Sequence, residues 1–100
     1  MIQVTIKLKE IEILGHAEYA PKGQDIVCAG VSTLTQNFIQ SIKELTQDII
    51  SYGMQPGAVH IYFENLSDHA QILKDSFILG LQSIADAYPS YIQIDRALKS

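Results

Sequence analysis

What this sequence lacks narrows the classes of protein to which it can belong. Its single cysteine, Cys28, excludes an internal disulfide, which is the usual mark of a small secreted domain. No apolar run reaches the roughly 18 residues that a membrane-spanning helix needs, and the N-terminus lacks the basic and then apolar pattern of a signal peptide. We therefore expect a cytoplasmic protein with no membrane partner.

Basic residues are also scarce, since seven Lys and Arg against eleven Asp and Glu give a formal charge of −4. A nucleic-acid-binding face would need an excess of Lys and Arg, so no direct nucleic-acid partner is expected. No internal repeat, low-complexity tract or linker divides the 100 residues, of which 47% are hydrophobic. We expect one domain over residues 1–100 with a modest core.

Hydrophobic periodicity predicts six elements in the order ββαβαβ. Apolar residues that alternate with polar ones predict four strands, at 1–8, 11–15, 59–63 and 91–96. Apolar residues three or four apart predict a helix from Asp25 to about residue 53. The same spacing predicts a second helix, capped by Ser67 or Asp68 and closed by Pro89.

These patterns also indicate how the elements pack. Each predicted helix has one apolar stripe and each predicted strand one apolar face, so two layers bury both kinds of surface. We expect an α+β fold with two helices on one face of a mixed four-stranded sheet, in a strand order that the pattern does not specify. The other face of the sheet would stay uncovered, which favours a homodimer.

Cys28 occupies a position in the first predicted helix that favours reactivity. With Asp25 as the N-cap, Cys28 is the third helical residue, where backbone N–H groups lack helical partners and the helix dipole favours negative charge. Such surroundings stabilise a thiolate, and the same N–H groups could hold the oxyanion of an acyl-transfer intermediate. The alternative is a small, buried and unreactive cysteine.

His16 lies in the predicted loop that leads to this helix. If the loop folds back, the imidazole could take the thiol proton as a general base; the alternative is plain solvent exposure. Asp25 also allows two interpretations, a helix cap or a third member that orients His16, and it could serve as both. His60 and His69 have no partner at metal-ligand spacing, so no metal site is expected.

Two blocks of sequence stand at a specific separation, Gly15-His16-Ala17 and, after Gly23, residues 25–32 with the sequence DIVCAGVS. These blocks, the chain length and the predicted order of elements resemble the ribosomal-processing cysteine protease family (Prp) of Firmicutes and related bacteria. The predicted first hairpin, around residues 8–11, is tighter than is common in that family. This departure affects no residue of the two blocks.

The resemblance implies a cysteine endopeptidase that removes a short N-terminal extension from a large-subunit bacterial ribosomal protein, protein twenty-seven, during ribosome maturation. It implies Cys28 as the nucleophile, His16 as the general base, and a homodimer. No cofactor is expected. The residues at matching supporting positions are Asp25, Ser32, Gly15, Gly23 and Gly30, of which the glycines would allow close approach of backbone or substrate.

Two functions from other classes stay open. A non-catalytic dimeric module that binds ribosomal protein or assembly factors would use the same helix terminus to hold a peptide, and would tolerate serine in place of Cys28. A thiol redox sensor would cycle Cys28 through sulfenic acid. The chain has no second cysteine to resolve that acid, so it would need glutathione or a partner.

Overall fold

The computed structural model describes residues 1–97, and these form five strands and two helices in the order ββαββαβ. The elements are β1 (Ile2–Ile6), β2 (Glu10–Leu14), α1 (Ile26–Leu45), β3 (Ser51–Gln55), β4 (Ala58–Tyr62), α2 (Asp68–Ala87) and β5 (Ile92–Arg96). One mixed sheet has the order β3-β4-β2-β1-β5, in which β5 runs parallel to β1 and the other neighbours are antiparallel. The predicted α+β fold is confirmed. The four-stranded sheet and the ββαβαβ order are wrong, because the prediction missed β3.

Both helices cover the same face of the sheet. Buried side chains alternate along β1 and β2, and they form one cluster with the buried stripes of α1 and α2. Near the centre of this cluster, Phe38 stacks on Phe77 with ring centroids 4.8 Å apart and meets Phe63 edge-on. The opposite face of the sheet, here called the helix-free face, carries polar side chains such as Glu12 and His60.

The C-terminal end of α1 comes earlier than predicted. Thr46 is the C-cap in an extended conformation, and its hydroxyl donates to the carbonyl oxygen of Ile42 at 2.8 Å. The backbone N–H of Asp48 then donates to Thr46 Oγ1 at 3.0 Å, and the chain leaves the helix. Ile49 continues the helical spacing but is 89% exposed. The residues predicted to end this helix belong instead to β3.

The other helix boundaries agree with the prediction. Asp25 is the N-cap of α1, and Ser67 is the N-cap of α2, where its Oγ accepts from the backbone N–H of Ala70 at 3.2 Å. The second helix ends at Ala87, just before Pro89. Among residues 1–97, neither helix is both long enough and apolar enough to cross a membrane.

The strand that the prediction missed forms a hairpin beside the start of α1. All five residues of β3 are exposed, so the strand has no buried alternation for a pattern to detect. Pro56 and Gly57 close the hairpin between β3 and β4, with Gln55 opposite Ala58. Through this turn the hairpin reaches the cavity that contains Cys28.

Candidate active site

The carboxylate of Asp25 holds the loop between β2 and α1. Its Oδ1 accepts from the backbone N–H groups of Val27 and Cys28, each at 3.0 Å, and its Oδ2 accepts from that of Tyr19 at 3.0 Å. The bond from Cys28 contributes most to lowering the pKa of Asp25 below its ordinary value, and the bonds from Tyr19 and Val27 add to it. The predicted helix cap is therefore confirmed, and the same group ties the loop to the helix.

Cys28 is the third residue of α1 and is half-buried beside the core cluster. The backbone N–H of Ala17 donates to its sulfur, with 3.3 Å between the nitrogen and Sγ. This bond fixes the sulfur beside the loop between β2 and α1. The first-turn amides of Val27 and Cys28 donate to Asp25. These two amides are therefore already bonded to the cap, and the expectation that first-turn amides hold an oxyanion stays a prediction.

His16 follows β2 and is exposed. Its side chain lines two cavities that Cys28 also lines, so the loop returns towards the helix. Its Nε2 lies against the turn of the β3–β4 hairpin, 2.8 Å from the point where a Cβ on Gly57 would stand. In residues 1–97, no hydrogen bond joins the imidazole to the thiol or to the carboxylate of Asp25.

Two adjoining cavities open beside Cys28. The first holds about 210 Å³ and is walled mainly by apolar side chains of the sheet and of α1. The second holds about 830 Å³ and is bordered by the loop between β2 and α1. The residues that line both are His16, Cys28, Ser32 and Pro56. A ligand that extends along the second cavity could therefore place one of its bonds beside the sulfur of Cys28. The adjacent group of the same ligand would then enter the first cavity.

Besides Asp25, which borders the second cavity, three of the predicted supporting residues lie at these cavities. Ser32 is exposed one turn after Cys28 and borders both cavities. Gly23, at φ +89°, borders the second cavity and has open space where a Cβ would stand. Gly15, at φ +92°, borders the first, and a Cβ there would be 2.5 Å from the carbonyl oxygen of Met1. Gly15 thus permits a close approach of two backbone segments.

Gly30 is the supporting residue that faces another part of the molecule. A Cβ on Gly30 would stand 3.3 Å from Ile84 Cδ1 on α2. The contact has a counterpart on α2, because a Cβ on Gly80 would stand 2.9 Å from Leu34 Cδ1 of α1. The missing side chain of Gly30 therefore makes room for the second helix rather than for a ligand.

Two side chains of β2 meet one side chain of β4 on the helix-free face. His60 Nδ1 is 3.3 Å from Glu12 Oε2 and 3.7 Å from Glu10 Oε1, and the three potential ligand atoms lie within 4.8 Å of one another. The expectation that His60 has no partner at metal-ligand spacing is wrong, because the pairing of β2 with β4 sets Glu12 opposite His60. This cluster is half-buried and lies on the other side of the sheet from Cys28.

Two contributors to the site are absent from the sequence predictions, the backbone N–H of Ala17 and the turn of the β3–β4 hairpin. The turn has a sequence signal, because Pro56-Gly57 is typical of turns between strands. The apolar spacing before this turn predicts a helix up to about residue 53 instead of a strand, and so it competes with that signal. The Ala17 contact has no local signal, since it depends on the path by which the loop returns to α1.

Comparison with known proteins identifies the family. Residues 1–93 match the sequence model of the family described as cysteine protease Prp. The ribosomal processing cysteine protease Prp of Staphylococcus aureus (strain Mu50) is 30% identical over 92 residues, which cover 89% of this chain and 87% of the relative. The protein of the same name from Bacillus subtilis (strain 168) is 28% identical over 107 residues, which cover 94% and 96%.

Solved structures agree with the fold over nearly the whole chain. The crystal structure of the ribosomal processing protease Prp from S. aureus with a covalently linked product peptide has a TM-score of 0.92 at 27% identity, covering 97% of this chain and all of that one. The structure of the S. aureus protease with a substrate peptide has a TM-score of 0.87 at 26% identity. Since both the sequence match and the fold extend across almost all described residues, this chain belongs to the cysteine protease Prp family.

Proposed function

We propose that this protease removes the short N-terminal extension of a bacterial large-subunit ribosomal protein, protein twenty-seven, during ribosome maturation, with Cys28 as nucleophile and His16 as general base. One observation carries the assignment of the nucleophile: a cysteine protease needs a thiol, and Cys28 is the only cysteine in the sequence. Of the three histidines, His16 shares both cavities with Cys28, whereas His60 belongs to the helix-free face and His69 to the first turn of α2.

The proposed substrate is supported by the relatives. The curated relatives from S. aureus and B. subtilis are named for ribosomal processing, and the S. aureus structures hold a substrate peptide and a covalently linked product peptide. Of the two cavities beside Cys28, the first is a mainly apolar recess and the second is open along the loop between β2 and α1. This arrangement suits an extended peptide segment.

In the proposed reaction, His16 takes the proton of the Cys28 thiol and Sγ attacks the scissile carbonyl carbon. His16 then gives the proton to the departing amine as the C–N bond breaks, which leaves a thioester on Cys28. Water, deprotonated by His16, then attacks the thioester carbonyl carbon and the C–S bond breaks. The carboxyl product leaves, and His16 returns the proton to the sulfur of Cys28. The N–H of Ala17 supports this scheme, since it donates to Sγ at 3.3 Å and so holds the sulfur beside the loop that carries His16.

The test is incubation of the purified chain with the extended ribosomal protein, followed by mass spectrometry of both proteins. Wild type should release the extension and carry a transient thioester, and Cys28→Ala should lose cleavage by several orders of magnitude. His16→Ala should lose roughly 10²- to 10⁴-fold. His69→Ala is the matched control, because it removes an exposed histidine in α2, and it should cleave like wild type.

Two outcomes would contradict the proposal. Trimming that survives Cys28→Ala would exclude the thiol as nucleophile and favour the non-catalytic binding module. Equal losses in His16→Ala and His69→Ala would show that the position of His16 beside the cavity has no special role in proton transfer.

A further inference from the structure

The turn of the β3–β4 hairpin packs directly on His16. Gly57 has φ +76°, and a Cβ built on it would stand 2.8 Å from His16 Nε2 and 3.4 Å from both neighbouring ring carbons. Real side chains do not tolerate a contact of 2.8 Å, so any residue larger than glycine would displace the imidazole. The ring can lie where it does only because residue 57 has no side chain.

The backbone around His16 leaves little freedom to relieve such a contact. The backbone N–H of Gly15 donates to the carbonyl oxygen of Gly57 at 2.8 Å, which extends the ladder in which Leu14 pairs with Ala58. Gly15 is itself held close to the carbonyl of Met1. The residue before His16 and the turn are therefore fixed to each other, and the imidazole is the part that can move.

We propose that Gly57 is a positioning residue for His16, holding the imidazole in the cavity that it shares with Cys28. The inference rests on the proposed role of His16 as general base. Pro56 precedes Gly57 in the turn and lines both cavities. A type II turn prefers proline at its first central position and glycine with positive φ at its second. The turn therefore has one preferred backbone conformation where it packs against the imidazole ring.

The main consequence of a side chain at residue 57 should appear in catalysis. His16 is exposed, so its ring can swing away with little loss of packing. Displacement of a general base from its place in the cavity, in contrast, impairs proton transfer, and a misplacement of about 1 Å can cost on the order of 100-fold in rate. Gly57→Ala should therefore lower kcat by roughly 100-fold and leave KM close to that of wild type.

Three further variants separate positioning from other effects. Gly53→Ala is the matched control, because Gly53 lies on the same hairpin with nothing within 4 Å of its virtual Cβ, and it should cleave like wild type. Gly57→Asn keeps the Cβ but tolerates positive φ, so it should stay as impaired as Gly57→Ala. In a His16→Ala background, Gly57→Ala should have no further effect, since its target is gone.

The experiment measures kcat and KM for cleavage of the extended ribosomal protein, together with the rate at which iodoacetamide alkylates Cys28 across the pH range. The alkylation needs no substrate, so it tests the inference separately from the proposed function. If His16 assists the thiol, Gly57→Ala and His16→Ala should change the dependence of the alkylation rate on pH in the same direction, while Gly53→Ala keeps the wild-type dependence.

Each contrary outcome has its own meaning. Wild-type kcat and wild-type alkylation in Gly57→Ala would overturn the inference, and so would full recovery in Gly57→Asn, which would assign the effect to backbone strain. Additive losses in the double variant His16→Ala/Gly57→Ala would also overturn it. Absence of cleavage by wild type, or cleavage by Cys28→Ala, would overturn the proposed function instead, and the alkylation profiles would still decide on Gly57.

Discussion

At the scale of single residues, Asp25 shows how a local signal organises a site. Its carboxylate accepts three backbone N–H groups, two from the start of α1 and one from the loop that carries His16. These bonds lower its pKa. A carboxyl group whose pKa is lower in the folded than in the unfolded chain stabilises the fold above its unfolded pKa, and this contribution is lost as the pH falls through the folded pKa.

Asp25→Asn should lower the free energy of unfolding at neutral pH. The amide oxygen of asparagine can still accept from Val27 and Cys28, but its NH₂ group cannot accept from Tyr19. The difference from wild type should shrink as the pH falls below the ordinary Asp value of 3.8, because the unfolded chain then takes up a proton, and it should vanish once the pH has fallen through the lower pKa of the folded chain. Urea unfolding at neutral and acidic pH measures this. Asp95→Asn, at an exposed site on β5, is the control. A difference that does not change with pH would contradict the prediction.

The place of Cys28 in the first turn of α1 is predictable from the sequence, whereas the detailed position of His16 is not. The position of Cys28 in the first turn follows from Asp25 only three residues earlier, and such capping is a local property. The contact between His16 and Gly57 joins residues that are far apart along the chain. It depends on the pairing of β2 with β4 and on the missed strand β3, so no local pattern encodes it.

At the scale of elements, the end of α1 shows where periodicity alone fails. Apolar spacing continues to Ile49, yet the helix stops at Leu45. The hydroxyl of Thr46 bonds the carbonyl of Ile42 and also accepts from Asp48, so it competes with the next helical turn for backbone partners. A β-branched hydroxyl residue at this position was the available signal, and it was outweighed by the regular apolar stripe.

Ser67 connects the two helices, and its removal should destabilise the chain. Its Oγ accepts from the backbone N–H of Ala70 and donates to Asp48, which follows α1, while its own N–H donates to Asp48 at 2.8 Å. Ser67→Ala should lower the free energy of unfolding by about 1 kcal/mol. Urea unfolding measures this change.

The matched control for this cap is Ser76→Ala, an exposed serine in the interior of α2. Alanine has the highest helix propensity, so this variant should be as stable as wild type or slightly more so. Equal destabilisation by the two substitutions would mean that the cap and its bond to Asp48 contribute nothing specific.

At the scale of the whole molecule, the strand order was beyond the sequence patterns. Amphipathic alternation identifies which side of a strand is buried, but it does not specify which strand is its neighbour. The order β3-β4-β2-β1-β5 arises from long-range pairing. It has one consequence for assembly, because it brings Glu10, Glu12 and His60 together near the middle of the helix-free face.

We expect this chain to form a homodimer through the helix-free face, which no helix covers. Two copies, each with a formal charge of −4, repel each other, and the acidic pair on this face adds to that repulsion at close range. Salt screens such repulsion, so the dimer should tighten as the salt concentration rises. Glu12→Gln should tighten it already at low salt, because it removes a negative charge from the contact. Sedimentation equilibrium over a range of protein concentrations measures both effects.

Glu44→Gln makes the same change of charge at an exposed position on α1, so it separates the local effect from the effect of net charge. A stable interface needs about 800 Å² per partner, a modest part of the 6316 Å² surface of one chain. If both glutamine variants tighten the dimer equally, only net charge matters and the contact lies elsewhere. A chain that stays at its monomer mass of 11.1 kDa at every concentration and salt would contradict the dimer itself.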